Sequence, residues 1–416
     1  MTGEASGMWR ALRHRNYRLF FSGQTVSLVG TWLTRVATGW LVYRLTGDPN
    51  LLGLAGFAGQ IPTFVLAPVA GVLIERWNRH RVLVWTQVFS ALQSALLAYF
   101  ALRGTITVTH VILLNIMQGL INAFDTPARQ AFVVEMIEDR ADLSNAIALN
   151  SSMVNVARLA GPTIAGLLIA GVGEGWCFAI DALSYVAVIA SLLAMRVPSR
   201  ARVTTGRRIA EDLAEGARYV ANHAAIRSVL LLLALMSLMG LPYIVLMPIV
   251  ATDVLGGGAH LNGYLMSASG VGALAGAIYL ARRKNVIGLG RVIAIAAFGF
   301  GAGLVAFSQS TNVYLSMPLL VVVGFTMILQ MAASNTVIQT LVDEDKRGRV
   351  MSFYTMAFFG TAPFGSLIAG ALAKSLGAPD TLLVGGIACI LGSAAFARVL
   401  PELRRDPRVI ARVAAD

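Results

Sequence analysis

Charge is scarce in this chain. Asp, Glu, Lys and Arg make up 13% of its 416 residues, about half the share of an ordinary soluble domain. Lysine occurs only at Lys284, Lys346 and Lys374; the other basic residues are Arg, a bias that suggests a GC-rich bacterial genome. Cys177 and Cys389 stand alone, one in each half, which argues against a disulfide framework and for buried thiols packing as small apolar groups. The five histidines (His14, His80, His110, His223, His260) fall in tails, loops or at the ends of apolar runs, so haem ligation and an intramembrane metal site lack ligands. No G-x-x-x-x-G-K-[ST] loop occurs, and GALAKS at 370–375 has no Gly before its Lys, which argues against direct ATP use. No nucleophile–base pair stands out either. The sequence therefore predicts no enzyme and no cofactor.

What the chain has is apolar length. Hydrophobic residues reach 56% and mean hydropathy is +0.70. Twelve apolar runs, at 19–43, 51–74, 82–102, 106–127, 147–172, 176–195, 228–252, 261–281, 291–309, 312–333, 350–373 and 380–400, each approach or exceed the roughly 20 residues that span a bilayer as helix. The predicted fold class is an all-α integral membrane protein with 12 transmembrane helices. Basic residues crowd into alternate loops. The other side has only Arg44, Arg103 and Lys374, and apart from Arg291 and Arg398 at run ends on the basic side, only Arg35 and Arg158 lie within runs. The positive-inside rule then places both termini in the cytoplasm. The formal charge of +12 reads as orientation and contact with anionic headgroups rather than nucleic-acid binding. The first run is too long for a signal-peptide core and lacks a small-residue cleavage site, so it reads as a retained helix.

The longest polar interruption, 196–227, divides the chain into an N-terminal six-helix bundle (1–195), a cytoplasmic linker and a C-terminal bundle with its tail (228–416). Within the linker, IAEDLAEGARYVANHAAI has the apolar spacing of an amphipathic helix. The halves echo each other: ARLAGPTIAGLLIAG in run five corresponds to GTAPFGSLIAG in run eleven, each after an acidic–basic loop. Such internal symmetry is a property of transporters built from repeated halves.

Between runs two and three stands GVLIERWNRHRVL, with Gly71, Glu75, Arg76, Asn78, Arg79 and Arg81. It resembles the cytoplasmic signature of the major facilitator superfamily, G-x-L-a-D-r-x-G-r-k-r, with Glu75 for Asp and Asn78 for the second Gly. A carboxylate there is suited to pair with guanidinium groups or a helix N-terminus and latch the cytoplasmic side. The matching loop, GAIYLARRKN, keeps Gly276 and Arg282 but has Ala281 in the acidic position, so the latch is expected to be one-sided. GTWLTRVATGWLVYRLTG, NAFDTPARQAFV and VNVARLAGP extend the resemblance to the transmembrane secretion effectors, a branch similar to enterobactin exporters and macrolide efflux proteins. Gly161, Pro162 and Gly166 resemble the antiporter signature GPxxGG, with Ala165 in the first closing Gly position; they and the glycines at 53, 56, 59, 272 and 276 are expected to pack helices closely. Where the superfamily has a proton-linked Arg in run four, this chain has Asn115.

Intramembrane charges are costly and usually face a cavity or a partner. Three runs of the first half carry polar residues at helical spacing: Gln24, Thr31, Arg35 and Thr38; Asn115, Gln118, Asn122, Asp125 and Arg129; Ser144, Ser151, Asn155, Arg158 and Pro162. The resemblance implies that these helices line a substrate cavity; interhelical hydrogen bonding is the alternative for the Asn and Ser residues. The second half offers Met236, Met239, Tyr243 and Met247, then Gln330, then Tyr354, Phe358 and Thr361, an adaptable apolar wall or simple packing. Asp125 is the candidate proton carrier, its proton affinity set by Arg35 or Arg158. Asp181 and Asp253 read as solvated anchors near the outer ends.

The resemblance implies a monomeric secondary transporter in the bacterial cytoplasmic (inner) membrane. It would export a small amphiphilic, drug-like or siderophore-like substrate by alternating access, driven by protons. A lysophospholipid flippase and a non-transporting sensor or assembly protein are the alternatives. The charge asymmetry itself is open to test. A Thr205→Cys variant in a cysteine-free background should resist membrane-impermeant thiol reagents in intact cells and react in inverted vesicles; labelling from outside would invert the topology.

Overall fold

The computed structural model describes residue 7 and residues 9–196, 209–283, 288–344 and 346–405, without side-chain placement at 68, 72, 75, 140, 209–213 and 401–405. Among the described residues every long element is helical and none is a strand. In the first half these are α1 (Arg15–Thr46), α2 (Pro49–Arg76), α3 (Arg79–Leu102), α4 (Val108–Met136), α5 (Leu143–Val172) and α6 (Glu174–Leu193). A shorter α7 (Ile209–Asn222) follows, then α8 (Ala224–Val254), α9 (Ala259–Ala281), α10 (Leu289–Ser308), α11 (Val313–Leu341), α12 (Arg347–Leu376) and α13 (Ala378–Arg405). Ten of these are long and apolar enough to cross a membrane. The other two of spanning length, α1 and α4, carry polar stripes that dilute their hydropathy.

Local chemistry explains the helix ends. Asn78 caps α3, its Oδ1 accepting the Arg81 N–H at 3.1 Å, which accounts for an Asn where the signature has Gly. Asn312 caps α11 in the same way through Tyr314 N–H at 2.8 Å. α1 stops at Gly47, whose φ of 59° a side chain would resist. The linker helix is shorter than its periodicity suggests. It breaks at His223, whose extended backbone (φ −111°, ψ 94°) lets α8 start afresh at Ala224.

The chain forms two compact units. The first comprises Met1–Gly47, Ala58–Thr205 and Ala259–Gly263; the second comprises Asp48–Phe57, Gly206–Gly258 and Tyr264–Asp416. In the first unit α6 is the central post, packed against both α1 and α3, with α5 against α1 and α4 against α3. Tyr17, Phe132, Met136, Leu83 and Leu192 fill the core at one end. The Tyr17 hydroxyl there donates to Ala146 O at 2.7 Å. In the second unit α13 holds the corresponding place, packed against α8 and α10, with α11 against α10. The linker helix α7 docks there: Glu215 pairs with Arg349 at 2.7 Å, and the Tyr219 hydroxyl donates to Asp343 Oδ2 at 3.1 Å beneath the Lys346 ammonium. At the opposite end Lys374 bonds Asp48 at 3.0 Å; with the Asn50 N–H, it holds that carboxyl below the usual carboxylate range.

Glycine governs the closest crossings. A Cβ on Gly53 would lie 3.0 Å from Gly370 Cα in the second unit, and one on Gly166 would lie 3.0 Å from Gly263 Cα in the first. These equivalent crossings give the echo between the halves a structural form. At Gly272 and Gly324, α9 and α11 meet backbone to backbone, on Val321 O and Ser269 O respectively. Prolines disturb α8 and α12 instead. π turns occupy Met236–Gly240 and Val250–Val254, around Pro242 and Pro248, and Met356–Gly360 before Pro363.

A Gly324→Ala substitution should therefore push α9 and α11 apart and destabilise the second unit by about 1–3 kcal/mol. Gly171→Ala, at a position with open space around it, should be neutral. Thermal unfolding in detergent would separate the two; equal melting temperatures would show that the crossing yields without cost.

Candidate functional site

The first unit gathers the charged and polar residues. Arg35 on α1 is exposed and lays its guanidinium over Trp32, 4.9 Å from the ring centre. Arg158 on the adjacent α5 is half-buried and within electrostatic reach of Arg35. Thr31 donates to Ser27 O at 3.0 Å, one turn below. Gln24 is buried, while Asn115, Gln118, Asn122 and Asn155 are half-buried on α4 and α5. Gln118 Nε2 donates to Asn122 Oδ1 at 3.1 Å.

Asp125 is 3% exposed, and its setting differs from the expectation. Arg129, one turn along α4, forms its ion pair. From α3, Thr86 Oγ1 donates to Asp125 Oδ1 at 2.9 Å and Gln87 Nε2 at 2.8 Å. Its ion-pair partner is thus Arg129, on its own helix. The reason is helical geometry, which puts residues four apart on one face.

Asp181 is a correction. Expected as a solvated anchor, it is 1% exposed. It lies two turns inside α6, where α1 and α3 close over it, and accepts from Thr34 Oγ1 at 2.7 Å and Ser94 Oγ at 2.8 Å. Asp253, by contrast, is exposed. The acid in the first turn of α6 is Glu174, bridged to Arg44 at 2.7 Å.

Of the signature loop, Arg79 reaches Glu135 at the end of α4 (2.5 Å), while Arg76 and Arg81 are exposed. Gly71 has open space around it. The side chain of Glu75 lies outside the described residues. Gly161 lies beneath Trp32, and Pro162 and Gly166 form the crossing with the first turns of α9.

In the second unit, Met236, Tyr243 and Met247 are buried within the packing of α8, and the Tyr243 hydroxyl is 2.6 Å from Ser269 Oγ. Gln330 bonds Ser334 at 3.2 Å, and Tyr354 donates to Met331 O at 3.1 Å. Phe358 sits in the α12 π turn, edge-on to Phe359, where its carbonyl accepts from the Ser237 hydroxyl of the α8 π turn. The two irregular turns are thereby tied together.

The reading of the sequence missed a whole stripe. Thr86, Gln87, Ser90, Gln93 and Ser94 on α3 are all buried. Their three- and four-residue spacing was the available signal, masked by an apolar average. Glu135 was missed as well, since nothing local pairs it with Arg79.

The Asp125–Arg129 pair makes a testable demand. Arg129→Gln leaves a buried carboxylate without its cation, at a cost of about 3 kcal/mol, whereas Asp125→Asn combined with Arg129→Gln should recover much of that loss. Thermal melts of the single and double variants decide it, and additive losses would mean the two side chains act independently.

A model of the transmembrane secretion effector family matches residues 6–410. The chain is 25% identical over 380 residues to the staphyloferrin A transporter of Staphylococcus aureus, covering 90% of this chain and 93% of that one. It is 26% identical over 393 residues to the multidrug efflux pump Tap of Mycolicibacterium fortuitum, again covering 90% and 93%. Among solved structures, a bacterial homologue of the human lysosomal transporter Spinster, inward-facing and occupied, superposes with a TM-score of 0.74 at 13% identity, covering 95% of this chain and 99% of that one. Fold and sequence agree: the chain belongs to the transmembrane secretion effector family of major facilitator transporters, multi-pass membrane proteins that move small molecules and are not enzymes.

Proposed function

We propose that this transporter exports a small amphiphilic compound, drug-like or siderophore-like, from the bacterial cytoplasm by alternating access driven by protons. The carrying observation is the pair of guanidinium groups, Arg35 and Arg158, held within electrostatic reach of each other on adjoining helices. Two like charges in a spanning unit repel and are costly in hydrocarbon. An anionic group on a substrate would relieve both. Trp32 beneath Arg35 and the polar residues Gln24, Thr31, Asn115, Gln118, Asn122 and Asn155 suit the polar end of such a molecule. The efflux and siderophore-transport relatives support the substrate class.

Proton coupling falls first to Asp125, which takes a proton when Arg129 moves off it. The loop from Gly71 to Arg81 serves as the cytoplasmic latch, with Arg79 held by Glu135. The protein works as a monomer in the lipid bilayer of the cytoplasmic membrane, with both termini inside.

Inverted membrane vesicles, given siderophores and amphiphilic drugs with and without an imposed pH gradient, test the reading. Gradient-dependent accumulation is expected. Arg35→Gln and Arg158→Gln should each abolish it while protein abundance and thermal stability stay near wild type. Wild-type transport by both variants would make the arginines structural.

A further inference from the structure

The buried stripe on α3 joins two carboxyl groups. At its lower end Thr86 and Gln87 donate to Asp125. One turn on, Ser90 Oγ lies 3.4 Å from Gln118 Nε2. Gln93 and Ser94 follow, with Ser94 Oγ 3.2 Å from Gln93 Oε1 and 2.8 Å from Asp181 Oδ2. From Thr86 to Ser94 the helix rises about 12 Å. These side chains form three hydrogen-bonded groups in succession along one face of α3, and such polarity inside an otherwise apolar bundle is expensive unless it is used.

Three buried acceptor oxygens along it, Gln87 Oε1, Gln118 Oε1 and Asp181 Oδ1, have no protein donor. Such atoms lose the full cost of desolvation unless something supplies a proton. The Asp181 oxygen is the most telling. It points at Gly30 of α1, where a Cβ would lie 2.6 Å away, so the absence of a side chain there makes its room.

Among the described residues no cation is paired with Asp181. On its own helix the titratable neighbours are Glu174, Cys177 and Tyr185; Glu174 is committed to Arg44, and Tyr185 lies within reach of both aspartates and Arg129. α1 brings Arg35, Tyr43 and Arg44. α3 has no titratable residue from Leu83 to Ala98, α4 brings the Asp125–Arg129 pair, and α5 brings Arg158. Among the described residues Asp125 is thus balanced by a guanidinium, and Asp181 by hydroxyls alone, those of Thr34 and Ser94 with Ser184 close by.

We propose that Asp181 is a second proton-binding centre of the transporter, loaded and emptied along the buried α3 track that ends at Asp125. Loading takes a proton from hydronium by way of the track, breaking an O–H bond there and forming one at Oδ1, and leaves the site neutral. Release breaks that bond, returns the proton to water by way of the track, and leaves a carboxylate held by Thr34 and Ser94. As a component of coupling, this rests on the proton-driven reading above.

Infrared spectroscopy of the purified full-length protein tests it without any substrate, so it succeeds or fails separately from the vesicle assay. At neutral pH the wild type should show the C=O stretch of a buried protonated carboxyl. Asp181→Asn should lose it and Asp125→Asn should keep it. Should Asp181→Asn fail to fold, Thr34→Val serves instead, moving the band to higher frequency by removing one hydrogen bond. Gln93→Leu, which interrupts the track, should slow the deuterium shift of the band at least tenfold after transfer to D₂O. A missing band, a band unaffected by both Asp181→Asn and Thr34→Val, or a band abolished by sodium chloride would overturn proton binding at Asp181. An unchanged exchange rate in Gln93→Leu would overturn the route.

Discussion

Hydrocarbon offers no water to a polar group, so each one inside this chain must find a protein partner, a substrate or a proton. The first unit meets that condition in three ways. Asp125 is matched by Arg129 and by two donors from α3. Arg35 spreads its charge over Trp32. Asp181 receives two hydroxyls and keeps one oxygen bare. The three settings differ in kind: a buried ion pair, a cation over an aromatic ring, and a carboxyl met by hydroxyls.

The same constraint shapes the packing. With lipid as apolar as leucine, helices gain by approaching closely rather than by hiding apolar surface. Glycines at 53, 166, 263 and 370 bring pairs of helices together in equivalent ways, and those at 272 and 324 bring backbones into contact. α6 and α13, each packed against two neighbours, are the posts of their units. The polar side chains of the first unit are arranged around α6. Proline has the opposite effect in α8 and α12, where it removes backbone donors and leaves π turns tied by Ser237 and Phe358.

Membership in the family and the helical architecture were legible because their signals are long. Twelve apolar runs, a central polar interruption and a loop signature survive local variation. The polar stripes of α1, α4 and α5 were also legible, since their residues interrupt apolar runs at regular spacing. The α3 stripe was not, because Thr and Ser weigh little in a hydropathy average and its strongest meaning comes from Asp125 and Asp181, on other helices. Asp181 was misread because its distance from a helix end says nothing about which neighbours close over it.

By itself, then, the sequence determined the class of protein, its all-helical architecture and the position of every charge along the chain. Helical periodicity and the cost of burying polar groups suffice for that. Tertiary structure decided which charges meet. It paired Asp125 with Arg129 and Arg79 with Glu135, brought Arg35 near Arg158, and enclosed Asp181 between Thr34 and Ser94. Pairing across helices depends on rotation and close approach, set by glycines and packed side chains far along the chain.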